Sequence, residues 1–218
     1  RRVIGQIYAV GVPAILNTTL FSVFTFVMNQ ILIGFSTAAT AVMGVYFKLQ
    51  SFIFMPVFGL TSGMIPIVAY NFGAKRPDRI RKTMRLGLLY AFGIMLAGII
   101  LFQLFPRQIL LLFVDKPETV IMGVAALKTI SLGYLFSAFV FVVASVFQAL
   151  GYGFHALLLQ IVRQLAAALP LAYIFSLSGN VNMVWWAFPS AELITAAAAF
   201  VLFRRVNIKQ LSILEAKP

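Results

Sequence analysis

The sequence has no cysteine, a single histidine (His155) and only five acids in 218 residues. Without thiols there can be no disulfide, no thiolate metal centre and no cysteine nucleophile. One histidine and five carboxylates leave almost no material for a metal centre or a catalytic triad, so no enzyme activity and no bound cofactor are expected. Charge of any sign is scarce: 10% of residues are charged and 62% are hydrophobic, where a soluble domain has roughly a quarter charged. A soluble fold of this size could not bury so much apolar surface, so the solvent of this chain is mostly lipid. Negative charge is scarcer than positive, and the formal net charge is +12. The basic residues sit in short clusters between apolar runs. That fits loops facing an anionic leaflet and excludes nucleic acid as a partner, because a nucleic-acid-binding face needs a soluble domain to display it.

What is present is a succession of long apolar runs. A bilayer core of ~30 Å needs ~20 apolar residues as a helix. Runs of that length fall at about 7–33, 41–70, 86–105, 120–149, 155–177 and 183–203. The expected fold is an all-α membrane protein, a six-helix transmembrane bundle over residues 1–206 with a polar tail at 207–218. The first run is too long for a secretory signal and lacks a small-residue cleavage pattern. The chain begins Arg1-Arg2 without Met and reads as a fragment with sequence upstream.

The second run holds Pro56, Gly59, Gly63 and Pro66. Two prolines ten residues apart predict a kink or a broken ladder, and hence a helix facing the bundle interior. Gly87, Gly93 and Gly98 are small contact points in the third run. Gln108 to Phe113 is a short interfacial piece, and Pro117-Glu118 suits the start of the fourth run. Lys128 snorkels outward. The Trp185-Trp186 pair suits an interfacial belt, and the Ala196–Ala199 run allows close helix approach. Six spans put both ends of the chain on one side. Of 17 Lys and Arg residues, 13 fall on that side and three on the other, with Lys48 inside a span. The bias places both termini and the 71–85 loop in the cytoplasm of a cell-membrane protein.

From Met55 to Arg85 the chain passes from Met55-Pro-Val-Phe-Gly-Leu-Thr-Ser-Gly-Met-Ile-Pro to Tyr70-Asn-Phe-Gly-Ala-Lys-Arg-Pro-Asp-Arg. Further along are Phe147-Gln-Ala-Leu-Gly151 and Trp186-Ala-Phe-Pro-Ser-Ala-Glu192, and near the start is Pro13-Ala-Ile-Leu. In these motifs, spread in order over nearly the whole chain, the sequence resembles the C-terminal half of a MATE (multidrug and toxic compound extrusion) transporter. The resemblance implies twelve helices in two six-helix bundles, of which this chain is the second. It implies export of amphipathic cations by H⁺ or Na⁺ antiport, as the two bundles rock about a central cavity. It also implies an N-terminal half as partner. The pattern departs at two places where some members have acids: here those neighbourhoods are Thr19-Leu20-Phe21 and Ser137-Ala138-Phe139.

Glu192 lies about nine residues into the last run, ~13 Å deep at 1.5 Å per residue. A carboxylate at that depth reads as a proton carrier or a partner for substrate cations, with a structural acid held between helices as the alternative. Lys48 either snorkels, pairs with Glu192 or charges the cavity. Arg163 is expected to snorkel to headgroups or cap a helix end, and His155 to be solvated. Asn17, Asn29, Gln30, Tyr134, Ser137 and Gln148 are further candidates for the substrate or ion pathway, with inter-helix hydrogen bonding as their bland alternative. Some of the 22 phenylalanines supply aromatic cavity walls. The rival functions are a flippase of lipid-linked sugars, which needs a groove faced by Lys48 and Arg163, and a non-transporting scaffold, which needs a bundle with no central polar face.

Overall fold

A computed structural model describes residues 19–215, with side chains through residue 205. Helix α1 is described over Thr19–Ile33. After a short turn Ser36 caps α2, Thr37–Gly73, its hydroxyl accepting the Ala39 N–H at 3.1 Å. At the far end Lys75 takes a left-handed φ of 53° and the Arg76 N–H returns to the Asn71 carbonyl. That closes the helix and sets a cation beside its negative end. Pro77 and Asp78 then open α3, Pro77–Leu104. A proline at the first position lacks only an N–H that would have no helical partner. The same device opens α4, Pro106–Leu111, and α5, Pro117–Ser131.

The fourth run is not one helix. It bends by 49° between α5 and α6, Tyr134–Ala149. The bend falls at Leu132-Gly133, and Gly133 is needed there: a Cβ would come within 3.0 Å of Pro189 Cα and 3.1 Å of Glu192 Cγ. Gln103 fastens the bend from α3, donating to the Lys128 carbonyl at 2.8 Å and the Ser131 hydroxyl at 3.2 Å. The fifth run is α7, Gly153–Ile161, then a π-helical turn at Val162–Ala168, then α8, Leu169–Ser176. Pro170 stands just past the π-turn; its missing N–H and ring loosen the ladder before it. A short α9, Val181–Trp185, leads into α10, Ala187–Glu215. Residues 207–215, expected as a tail, continue that helix.

By length and composition α2, α3, α7 with α8, and α9 with α10 can each cross a membrane, and the bent α5–α6 pair is long and apolar enough for a fifth crossing if it forms one span. The described part of α1 is shorter than a span. The chain is thus a multi-pass bundle whose core includes Met28, Leu32, Met43, Tyr46, Leu127, Tyr134 and Trp185, all essentially inaccessible.

Three further expectations need correction. Pro56 and Pro66 do not break α2, which runs unbroken for 37 residues. They and Gly59 and Gly63 lie on its exposed side, because the opposite stripe of Leu49, Ile53, Val57, Met64 and Val68 offers more side-chain contact to α3, α5 and α6. Trp185 is 0% exposed while Trp186 is 46% exposed, so the pair is split between core and periphery. Of the three glycines in α3, Gly87 and Gly98 meet Met64 and Ile53, while Gly93 faces open space. This yields a test. A Cβ at position 98 would sit 2.7 Å from Ile53 Cγ2, a stiff β-branched neighbour, so Gly98→Ala should destabilise by about 1–3 kcal/mol. Gly93→Ala should gain up to about 1 kcal/mol from helix propensity. Opposite shifts in the thermal melting of the detergent-purified protein are the expected result.

Candidate functional site

A cavity of about 500 Å³ opens between α1, α2, α6, the π-turn and α10. Its walls are aromatic: Phe21 and Phe24 from α1, Phe47, Phe54 and Phe58 from α2, and Phe188 from α10. These rings pack edge to face, with Phe24–Phe188 centroids 6.1 Å apart and Phe54–Tyr134 centroids 5.1 Å apart. Such edges and faces suit amphipathic ligands.

Its polar part is concentrated where the fifth and sixth runs face each other. Arg163 and Glu192 each stand near the midpoint of their span. The Arg163 Nε–H donates to Glu192 Oε1 at 2.7 Å, and Nη2 stands 2.6 Å from the same oxygen as an ion pair. The side chains are 15% and 11% exposed. The same guanidinium lies 4.9 Å from the Phe141 ring centre and 5.9 Å from that of Phe54. Two local features bring the pair together. The π-turn widens the helix at Arg163 and Gln164, and π-turns concentrate at functional sites. Gly133 lets the first turns of α10 approach the bend in the fourth run.

Several buried oxygens around the cavity lack hydrogen-bond partners: Glu192 Oε2, the Gln160 and Gln164 side-chain oxygens, and the Tyr134 hydroxyl. Tyr134 adjoins Tyr46 without completing a bond of good geometry, and Tyr46 Oη accepts from Gln50 Nε2 at 2.7 Å. Buried polar atoms are ordinarily satisfied, so four unpartnered oxygens around one cavity mark where a proton, a cation or a hydrogen-bond donor can be held. Among the described residues no group of three His, Cys, Asp or Glu could hold a metal.

Of the candidates from sequence, Glu192, Tyr134 and Lys48 line this cavity. Lys48 does not pair with Glu192; it stays exposed, with no counter-charge among the described residues. Arg163 takes that place and does not snorkel, because the carboxylate and the Phe141 face satisfy it where it stands. Asn17 lies outside the described residues. Asn29 is half-buried and off the cavity, while Gln30 is exposed in a separate recess with Tyr173 and Ser176. Ser137 is buried and donates to the Gly133 carbonyl at 3.3 Å. Gln148 is exposed near the end of α6. His155 is half-buried in the first turn of α7, its ring 5.7 Å from Phe147 and 5.3 Å from Tyr152. Sequence reasoning missed Tyr46, Gln50, Gln160, Gln164 and the role of Arg163. A signal was there, since Gln160, Arg163 and Gln164 fall at i, i+3 and i+4, one polar face in an apolar run.

A helical, multi-pass bundle around a polar, aromatic-walled cavity has the construction of an integral membrane protein. The chain belongs to the MatE family, whose model matches residues 13–174. It is 25% identical over 216 residues to the multidrug export protein MepA of Staphylococcus haemolyticus, covering 97% of this chain and 47% of that protein. With MepA of Staphylococcus aureus it shares 26% identity over 202 residues, covering 93% of this chain and 44% of that protein. The chain spans about half the length of the curated relatives it matches. The fold matches an inward-facing structure of a multidrug resistance MATE transporter of the MOP superfamily with a TM-score of 0.89 at 22% identity, over 100% of this chain and 50% of that one. An outward-facing structure matches with a TM-score of 0.88 at 22% identity, over 100% and 48%.

Proposed function

We propose that this chain is one six-helix lobe of a secondary active exporter that takes up H⁺ or Na⁺ in exchange for amphipathic organic cations. The observation that carries this is Glu192: a carboxylate at mid-span, with one oxygen unpartnered, in an aromatic-walled cavity. Such an acid is costly in a membrane and is typically retained for ion or substrate traffic. A proton or Na⁺ and an organic cation competing for one carboxylate is the simplest chemistry of antiport. The similar match to inward- and outward-facing structures supports a lobe that moves as a unit against a second lobe. The exposed Pro56, Gly59, Gly63 and Pro66 stripe of α2 gives that second lobe, or lipid, a surface for close approach. The basic Lys75–Arg85 end faces the cytoplasm, with both termini, in a cell membrane.

The test is transport by the whole protein in proteoliposomes, with ethidium as cargo. An imposed H⁺ or Na⁺ gradient should drive ethidium against its own gradient, and dissipating that ion gradient should stop it. Ethidium flux indifferent to both ions would defeat the proposal. Lys48 and Arg163 both line the cavity, which favours the second reading, a flippase for lipid-linked sugars; movement of a fluorescent lipid-linked sugar with no ethidium efflux is its signature. A scaffold is disfavoured by the cavity itself.

A further inference from the structure

We infer that Arg163 is a tethered counter-ion that competes with cargo for Glu192; this rests on the reading of Glu192 as the exchange carboxylate. The guanidinium has two seats within reach. One is Glu192 Oε1, at 2.6 and 2.7 Å. The other is the face of Phe141, 4.9 Å from the guanidinium carbon, with Phe54 at 5.9 Å. An arginine locked to a carboxylate for structure alone commonly forms a fork-to-fork pair that uses both oxygens. Here both nitrogens crowd one oxygen, and Oε2 is left buried without a partner.

Arginine cannot shed its charge. When a proton, Na⁺ or an organic cation occupies Glu192, the guanidinium has to keep some partner at mid-membrane, and the Phe141 face supplies one. The groups facing the pair from other elements are the hydroxyls of Tyr46 on α2 and Tyr134 on α6. Lys48, on the cavity wall of α2, carries no negative charge to substitute for Glu192. Arg163 therefore neutralises Glu192 whenever the cavity is empty. A ligand binds only in the fraction of time the pair is open, so its apparent affinity drops by that fraction while its release is hastened. Arg163 sets affinity against turnover.

The test uses the whole protein in proteoliposomes with ethidium. Arg163→Gln should lower the KM for ethidium roughly tenfold, because the competitor is gone, and should lower the maximal rate, because release slows. Phe141→Leu removes the second seat, makes the pair more persistent and should raise KM severalfold. Combined with Glu192→Gln, the Arg163→Gln change should leave ethidium binding, read by fluorescence titration, unaltered. A KM unchanged or raised in Arg163→Gln overturns the counter-ion role, as does an equal affinity gain in the Glu192→Gln background. If Arg163→Gln fails to fold, Phe141→Leu decides, and an unchanged or lowered KM overturns the role. Glu192→Gln that still couples ethidium to an ion gradient overturns both this role and the reading beneath it. An inactive Glu192→Gln with an indifferent Arg163 overturns this role alone.

Discussion

Glu192→Gln is expected to bring gradient-driven ethidium efflux down to the level of protein-free liposomes while the protein stays folded. The amide has nearly the volume of the carboxylate and keeps a carbonyl oxygen that can accept from Arg163, so packing against Gly133 is preserved. It cannot take up a proton and holds no charge for Na⁺ or an organic cation. No other acid can take over within the described spans: Asp78, Asp115 and Glu118 are exposed near helix starts. Removing one partner of a fully buried pair can cost about 3–5 kcal/mol. Here the guanidinium retains the Phe141 face and borders a 500 Å³ cavity, so a loss of about 1 kcal/mol is expected. Thermal melting and efflux, measured on the same preparation, separate the two effects. Gln148→Ala, exposed and away from the cavity, should transport within about twofold of the parent, since surface changes of this kind shift energies by about 0.5 kcal/mol or less. Coupled efflux retained by Glu192→Gln would remove Glu192 from the mechanism.

Trp185→Ala is expected to destabilise the bundle by about 3 kcal/mol, near the low end for such truncations. In water the cost has two parts, lost transfer energy and a cavity. In lipid the first largely vanishes, because acyl chains are as apolar as the protein interior, and the void with its lost contacts remains. Trp185 heads the fully buried side chains. For a chain of this size that loss corresponds to roughly 6–12 °C in melting temperature. Two companions make the result specific. Trp185→Phe keeps most of the bulk and deletes an indole N–H that is buried without an acceptor, so it should lie within about 1 kcal/mol of the parent. Trp186→Ala, at a position 46% exposed, should cost less than about 1 kcal/mol. Equal losses at 185 and 186 would contradict the division of the pair.

Much of the site was visible in the sequence as composition and little of it as contact. Glu192 stood out because a charge within an apolar run is rare on energetic grounds alone. The aromatic walls could be expected from the phenylalanine content, but not which rings form them. Arg163 was misread because an arginine a few turns inside a span has a cheap escape to headgroups. Only a carboxylate and an aromatic face on other helices make staying preferable. Lys48 was the more obvious partner for Glu192 by depth, yet depth along a helix says nothing of azimuth, and α2 presents Lys48 at the cavity wall without bringing it to Glu192. The bend at Gly133 was hidden because Leu132-Gly133 in an apolar run is equally compatible with a straight helix. It becomes necessary only when Pro189 and Glu192 press against it.

The sequence by itself determined the apolar solvent, the helical class, the family and the single mid-span acid. All of these follow from local quantities: apolar run length, charge scarcity and motif order. The tertiary structure alone decided which face of α2 is buried, where the fourth run bends, which tryptophan enters the core, and that Glu192 meets Arg163. Those depend on how helices cross and rotate against one another, and that is a property of all their side-chain contacts together.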